Sequence, residues 1–322
     1  MAFAPDLLGR RLLFFTGKGG VGKSAVTAAT AFLAAEHGRR VLLVEVDDKG
    51  ALAALFEHDP VGFVPVEVHP GVHLIQMRTE ASLREYLWVN LRIPVFGGIG
   101  PLAHALDFVA AAAPGVREIL TVGKICWETR ESLAGRADWD LVVVDAASTG
   151  HVVAQLDAPR AIQELVRVGA IREQADWMAE LLADKAVTSL NVVTSPEEMP
   201  VNETIDLLAT ARDRLRVPLG TVFVNRVLPE PLILADEPAF EALGTEPALG
   251  VLTRHGGPGV RAVLDATSLA VALRRGRADH LARLRAATDL PMVVLPYLFV
   301  RDHGLRVTRM LADAIADEVG LS

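Results

Sequence analysis

Gly17-Lys18-Gly19-Gly20-Val21-Gly22-Lys23-Ser24 fits Gly-x-x-x-x-Gly-Lys-Ser/Thr at every fixed position. Glycines at that spacing let successive backbone N–H groups turn inward around a phosphate at the start of a helix, where the dipole favours an anion. A lysine directly after the last glycine reaches β- and γ-phosphates, and the next hydroxyl is a ligand for Mg²⁺. The chemistry on offer is the gripping of a nucleoside triphosphate by the backbone from Gly17 to Ala25. Lys23 would be the phosphate cation and Ser24 the metal ligand. A second lysine, Lys18, lies in the same loop, and holding a phosphate does not require it.

Gly17, Gly19 and Gly22 also satisfy Gly-x-Gly-x-x-Gly, and Glu45 or Asp47 ends the next apolar run. A dinucleotide fold places its ribose-binding acid there, so an NAD-dependent oxidoreductase is a rival. The Lys23-Ser24 pair separates the two, because a dinucleotide needs neither a cation nor a metal ligand after the third glycine. The pattern favours the triphosphate. Asp145 ends "DLVVVD", the expected place for an aspartate that holds Mg²⁺ through water, and Gly150 follows within reach of a γ-phosphate.

These groups need a frame to position them. "RLLFF" (11–15) reads as a buried strand, "KSAVTAATAFLAAEH" as a helix stopped by Gly38, and "RRVLLVEVD" (39–47) as a second buried strand. Strand, helix, strand in that order is a βαβ unit, which implies a parallel sheet. "VPVEVHPGVHLIQM" (64–77) alternates about Pro70-Gly71 as a hairpin, with His69 and His73 expected to be exposed turn residues rather than a metal pair. Further strands are expected at 140–145, 190–195, 220–225 and 291–296, separated by helices. Strands of one sheet are thus spread from end to end, and cutting the chain would leave half-sheets. The expectation is one α/β domain over 1–322, a doubly wound and mostly parallel sheet, with a helical insertion at about 79–137 and 151–186.

Composition sets outer bounds. The 322 residues are 51% hydrophobic, enough for a large core. Net charge is −8, and no Lys/Arg tract resembles a nucleic-acid surface. The one cysteine, Cys126, allows neither an intrachain disulfide nor a thiolate metal cluster within one subunit. The arginines in "MAFAPDLLGRRLLFF" do not suit a signal peptide, and no apolar stretch is long enough to span a bilayer. A cytoplasmic protein is expected.

Three segments together carry a resemblance: "GKGGVGKS", "DAASTGH", and "VVTSPEEMPVNETIDLL" followed by "VFVNRVLP". They resemble the arsenical pump-driving and tail-anchored-protein-targeting ATPases, whose bacterial relatives are often called anion-transporting ATPases. The loop is that family's deviant form of the phosphate loop, with lysine as its second residue. The resemblance implies ATP and Mg²⁺, hydrolysis to ADP and phosphate, and two subunits facing each other across the nucleotides. The pair would be a homodimer, or a heterodimer with a related ATPase subunit. It implies that Lys18 enters the partner's site and acts like an arginine finger, and that Asp47 positions the attacking water. It implies too that Asn225 hydrogen-bonds adenine, that Pro296, Tyr297 and Leu298 wall the base, and that Glu203 lies near the subunit contact.

In the targeting relatives a groove for a hydrophobic client helix is formed by the region matching the apolar segment 93–115. Ordinary core or dimer packing competes with that reading. The implied partners are therefore a hydrophobic client protein or a membrane partner, with no nucleic acid. An arsenite site needs a cluster of soft thiolates, which one cysteine cannot build. A partitioning ATPase needs a basic surface or cationic tail, whereas "RVTRMLADAIADEVGLS" turns acidic and reads as a docking helix.

The chain also departs from the family. Asp47-Asp48-Lys49-Gly50 stands where the family has Asp-Pro-Ala-His, Ser148 replaces a proline, and Ala25 replaces a hydroxyl residue. These changes bear on hydrolysis rate rather than on binding, and they leave open a nucleotide-binding regulatory module with little turnover.

Overall fold

Leucine- and valine-rich runs bounded by glycines and acids become the strands of a single sheet. The computed structural model describes residues 7–47, 50–78, 81–82, 85, 115–135, 139–230, 232, 234–301 and 304–321. The strands are β1 (Leu12–Gly17), β2 (Val41–Glu45), β3 (Val66–His69), β4 (Val72–Gln76), β5 (Leu141–Asp145), β6 (Thr188–Thr194), β7 (Leu219–Val227) and β8 (Met292–Pro296). The helices are α1 (Lys23–Glu36), α2 (Ala51–Leu55), α3 (Val116–Leu133), α4 (Thr149–Leu165), α5 (Ala170–Ala183), α6 (Glu198–Arg214), α7 (Glu237–Leu243), α8 (Glu246–Gly256), α9 (Gly259–Ala287) and α10 (Leu305–Val319).

The sheet order is β3-β4-β2-β5-β1-β6-β7-β8. Every pairing is parallel except β3 with β4, the expected hairpin. This is a doubly wound α/β sheet. The order bears on the rival raised by the glycine spacing, since a dinucleotide fold sets its first two strands side by side. Here β5 lies between β1 and β2. The strand flanking the glycine loop therefore carries Asp145 rather than the acids of β2.

Alternation along the strands builds two apolar layers. Leu13, Phe15, Leu43 and Val143 pack under α1 and α10, which contributes Val307, Leu311 and Ile315. Leu12, Phe14, Leu42 and Val144 pack under α3 to α6 through Ile125, Leu156, Met178 and Leu208. The acidic-ended tail is thus a helix docked on the chain's own core.

Of the expected insertion, α3, α4 and α5 are helices packed on one sheet face. The rest of 79–137, apart from 81–82, 85 and 115–135, lies outside the described residues, and so does the apolar segment 93–115 except Gly115. Among the described residues no helix is long and apolar enough to cross a membrane.

The hairpin histidines differ from expectation. Both are half-buried: His69 stacks on Phe32 at 4.8 Å and His73 on Trp139 at 5.0 Å. The reason is topological. β4 pairs with β2 inside the sheet, and Val41 N–H donates to Gly71 O at 2.8 Å, which presses the turn against neighbouring structure. Burial lowers the pKa of His69.

Cys126 is fully buried on α3, and burial pushes its thiol up. A raised folded-state pKa keeps the group protonated across the neutral range, and the thiolate is the reactive form. At pH 8 the native protein is expected to react with a thiol reagent about 100-fold more slowly than the same chain in denaturant, because reaction must await opening. Stopped-flow labelling with and without urea measures this.

Candidate functional site

The glycine loop leaves β1 where only glycine fits. A Cβ on Gly17 would stand 2.2 Å from Val193 O on neighbouring β6. Gly20 and Gly22 have φ of 92° and 90°, the left-handed region that side chains disfavour. A Cβ on Gly22 would also lie 2.3 Å from Asn225 Nδ2. Asn225 is buried and braces the loop: its Nδ2 donates to Val21 O at 2.9 Å, and its Oδ1 accepts from Arg226 N–H at 2.9 Å. The loop then opens directly into α1 at Lys23, so its amides sit at the N-terminus of a 14-residue helix.

Two buried carboxylates face that terminus. In the parallel register Glu45 of β2 stands opposite Asp145 of β5. Alternation puts them on the face of Leu43 and Val143, the one covered by α1. Lys23 pairs with Asp145 Oδ1 and also donates to Ala146 O at 2.7 Å. Ser24 Oγ donates to Asp145 Oδ2 at 2.6 Å. Burial pushes the pKa of Glu45 upward; backbone hydrogen bonds from Ala51 and Leu52 oppose this, and the nearby Asp145 adds to it.

A cavity of about 250 Å³ opens between the loop and these strand ends. Of the residues expected from the sequence, it brings together Lys18, Gly19, Gly20, Gly22, Lys23, Ser24, Ala25, Asp47 and Asp145. Gly17 and Val21 support it from behind, Val21 being buried. Gly150, in the first turn of α4, does not line it, although Ser148 does. Pro296 ends β8, Tyr297 and Leu298 follow it, and none of the three lines the cavity. Tyr297 is exposed and stacks on Phe299 at 4.8 Å.

The sequence of 10–176 and 167–241 matches the profile of the family described as anion-transporting ATPase. Those ranges cover well over half of the chain. The chain belongs to this family. ATPase BagA of Mycobacterium tuberculosis is 33% identical over 261 residues, 77% of this chain and 75% of that protein. An arsenical pump-driving ATPase of Acidiphilium multivorum is 28% identical over 242 residues, covering 68% of this chain and 40% of its own length.

In this member of the anion-transporting ATPase family, Lys18 is engaged within its own chain. It pairs with Glu203 Oε1 on α6, and Thr149 Oγ1 donates to Glu203 Oε2 at 3.0 Å. The Lys18 hydrogen bond holds the Glu203 carboxyl below the usual range. Glu203 therefore ties the glycine loop to the segment after Asp145.

The donors fit a hard divalent cation. Ser24 Oγ and the Asp145 carboxylate are adjacent, and Mg²⁺ takes oxygen ligands of this kind together with waters and phosphates. Among the described residues no group of three or more His, Cys, Asp or Glu could hold a metal alone.

Sequence reasoning left four lining residues out of the expected site: Glu45, Ala51, Ser148 and Arg226. Glu45 was visible as an acid at a core-facing position of an otherwise apolar strand. Arg226 carried no such signal. It is a non-glycine residue at φ 61°, beside an irregularity in the β7–β8 pairing, a conformation that costs about 1–3 kcal/mol.

Proposed function

We propose that this chain hydrolyses ATP to ADP and phosphate, and that it does so as a dimer closing over the nucleotides. The observation that carries the reading is the convergence of Lys23, Ser24, Asp47 and Asp145 on one cavity at the strand ends. The loop amides and Lys23 bind the β- and γ-phosphates. Ser24 directly, and Asp145 through water, would hold Mg²⁺, which supplies charge neutralisation on the phosphates when bound.

Asp47 accepts a hydrogen bond from a water and orients it in line with the γ-phosphorus. The water oxygen forms the new bond to the γ-phosphorus as that phosphorus's bond to the β–γ bridging oxygen breaks; ADP leaves with the electron pair, and the water's proton passes to the phosphate product. Asn225 keeps its brace on the loop and offers its remaining amide hydrogen and lone pair toward the base, with Pro296, Tyr297 and Leu298 as the wall. Opening after hydrolysis would reshape the helices that follow β4 and β5, through which a hydrophobic client or membrane partner is engaged. The second subunit is a copy of the chain or a related ATPase.

Lys18 completes the partner's site. Within one chain it is held by Glu203, and a half-exposed pair of this kind contributes only about 0–1 kcal/mol, so a phosphate across the dimer can displace it. Glu203, left at the subunit contact, keeps Thr149.

Turnover per chain measured against protein concentration tests the reading. Wild type is expected to rise as dimers form. Lys18→Ala is expected to bind ATP normally yet lose the rise, with turnover down about 100-fold at high concentration, a modest value for a charge supplied in trans. An unchanged mutant curve would remove the trans role, and ATP binding without turnover in wild type would leave a regulatory module.

A further inference from the structure

Glu45 is 2% exposed, and its two oxygens have different fates. Oε1 accepts a hydrogen bond from Ala51 N–H at 2.8 Å, at the start of α2. Oε2 is buried and, among the described residues, has no hydrogen-bond partner. A buried carboxylate oxygen is rarely left unpaired, because its lost hydration must be replaced. The side chain lines the same cavity as Lys23, Ser24, Asp47 and Asp145, and its strand register sets it beside Asp145.

A plain cap on α2 would not need this arrangement. One oxygen suffices for a cap, and a short exposed serine or aspartate would supply it without burying a second. Ala51 closes the segment that begins at Asp47, so the carboxylate touches both the cavity and the anchor of the chain carrying Asp47.

We propose that Glu45 is a positioning residue of the site. Its Oε2 accepts a hydrogen bond from a water on the nucleotide-bound cation, while its Oε1 holds the Asp47 segment at the cavity. The proposal rests on the reading of this pocket as a magnesium nucleotide site. Filling the site thereby satisfies the last bare oxygen, and the same side chain sets the distance from the cation to Asp47.

Glu45→Gln separates the two oxygens. Only the amide oxygen can accept from Ala51 N–H, so the amide NH₂ must face the cavity, with its polarity reversed toward a cation-bound water. The probe is Mn²⁺ with a non-hydrolysable imido analogue of ATP, read by electron paramagnetic resonance, alongside thermal unfolding. The variant is expected to unfold at the wild-type temperature and to bind the metal-free analogue as wild type does. Its Mn²⁺ affinity should fall about 10-fold, the lower end for losing an outer-shell partner.

A Mn²⁺ affinity within twofold of wild type would reduce Glu45 to a cap and overturn the proposal. If Glu45→Gln does not fold, a crystal structure of the wild-type Mn²⁺ complex decides. A metal-bound water on Glu45 Oε2 supports the proposal, and an Oε2 still bare refutes it. A wild type that takes up no Mn²⁺ with the analogue would instead bring down the nucleotide reading itself.

Discussion

Asp47→Asn is expected to lower turnover about 1,000-fold while ATP affinity stays within about threefold of wild type, the middle of the range for a group that positions a proton-bearing nucleophile. Asp47 lines the cavity beyond the end of β2, and Lys23, Ser24 and Asp145 line the same cavity. Asparagine keeps the size of the side chain and one acceptor oxygen. It loses the negative charge proposed to orient a water by accepting its hydrogen, and gains a donor that can turn the water away. Such a loss falls on turnover alone, because the bound phosphates do not rely on Asp47. Single-turnover hydrolysis of radiolabelled ATP, with affinity from equilibrium dialysis, reads the two quantities separately. A fall of less than about tenfold would mean that another group orients the water.

Much of this site was legible before any coordinates. The loop pattern picks out Lys23 and Ser24, Asp145 stands out as a charge ending an apolar run, and all three line the cavity. Local rules suffice there, since strand, glycine turn and helix are adjacent in the chain. The doubly wound sheet was equally readable from alternating apolar runs and helices. The insertion of β5 between β1 and β2 was not, because strand order is a long-range property that no local pattern encodes. That same insertion is what sets Glu45 against Asp145.

Two further features depend on distant partners. Lys18 and Glu203 are 185 positions apart, and only the packing of α6 beside the loop brings them together. Asn225 and Val21 are 204 apart, and their contact turns a residue expected to read a base into a brace for the loop as well. The departures after Asp47 take on a physical meaning in this setting. Where the family has Asp-Pro-Ala-His, this chain ends the segment with Gly50 at φ 63° and anchors α2 through Glu45.

Lys23→Ala is expected to have the largest effect, lowering kcat/KM for ATP about 10,000-fold, from roughly 100-fold in affinity and 100-fold in turnover. The side chain is 13% exposed and its ammonium already sits between Asp145 and Ala146 O, so little further desolvation is needed when phosphates take their place beside it. Alanine removes that charge from both ground state and transition state, which is why affinity and turnover fall together. The nucleotide-free protein should suffer as well. Among the described residues, Asp145, 5% exposed at its side chain, would keep only the Ser24 hydroxyl and lose its countercharge, a cost of about 1–3 kcal/mol. Lys23→Arg should not restore function, because a planar fork cannot replace a compact ammonium in the space beside Gly22 and Asp145. Titration with a fluorescent ATP analogue and differential scanning calorimetry measure the two effects. An alanine variant that binds ATP within threefold of wild type would show that the loop grips its phosphate through backbone amides alone, and Lys23 would then be a structural partner of Asp145.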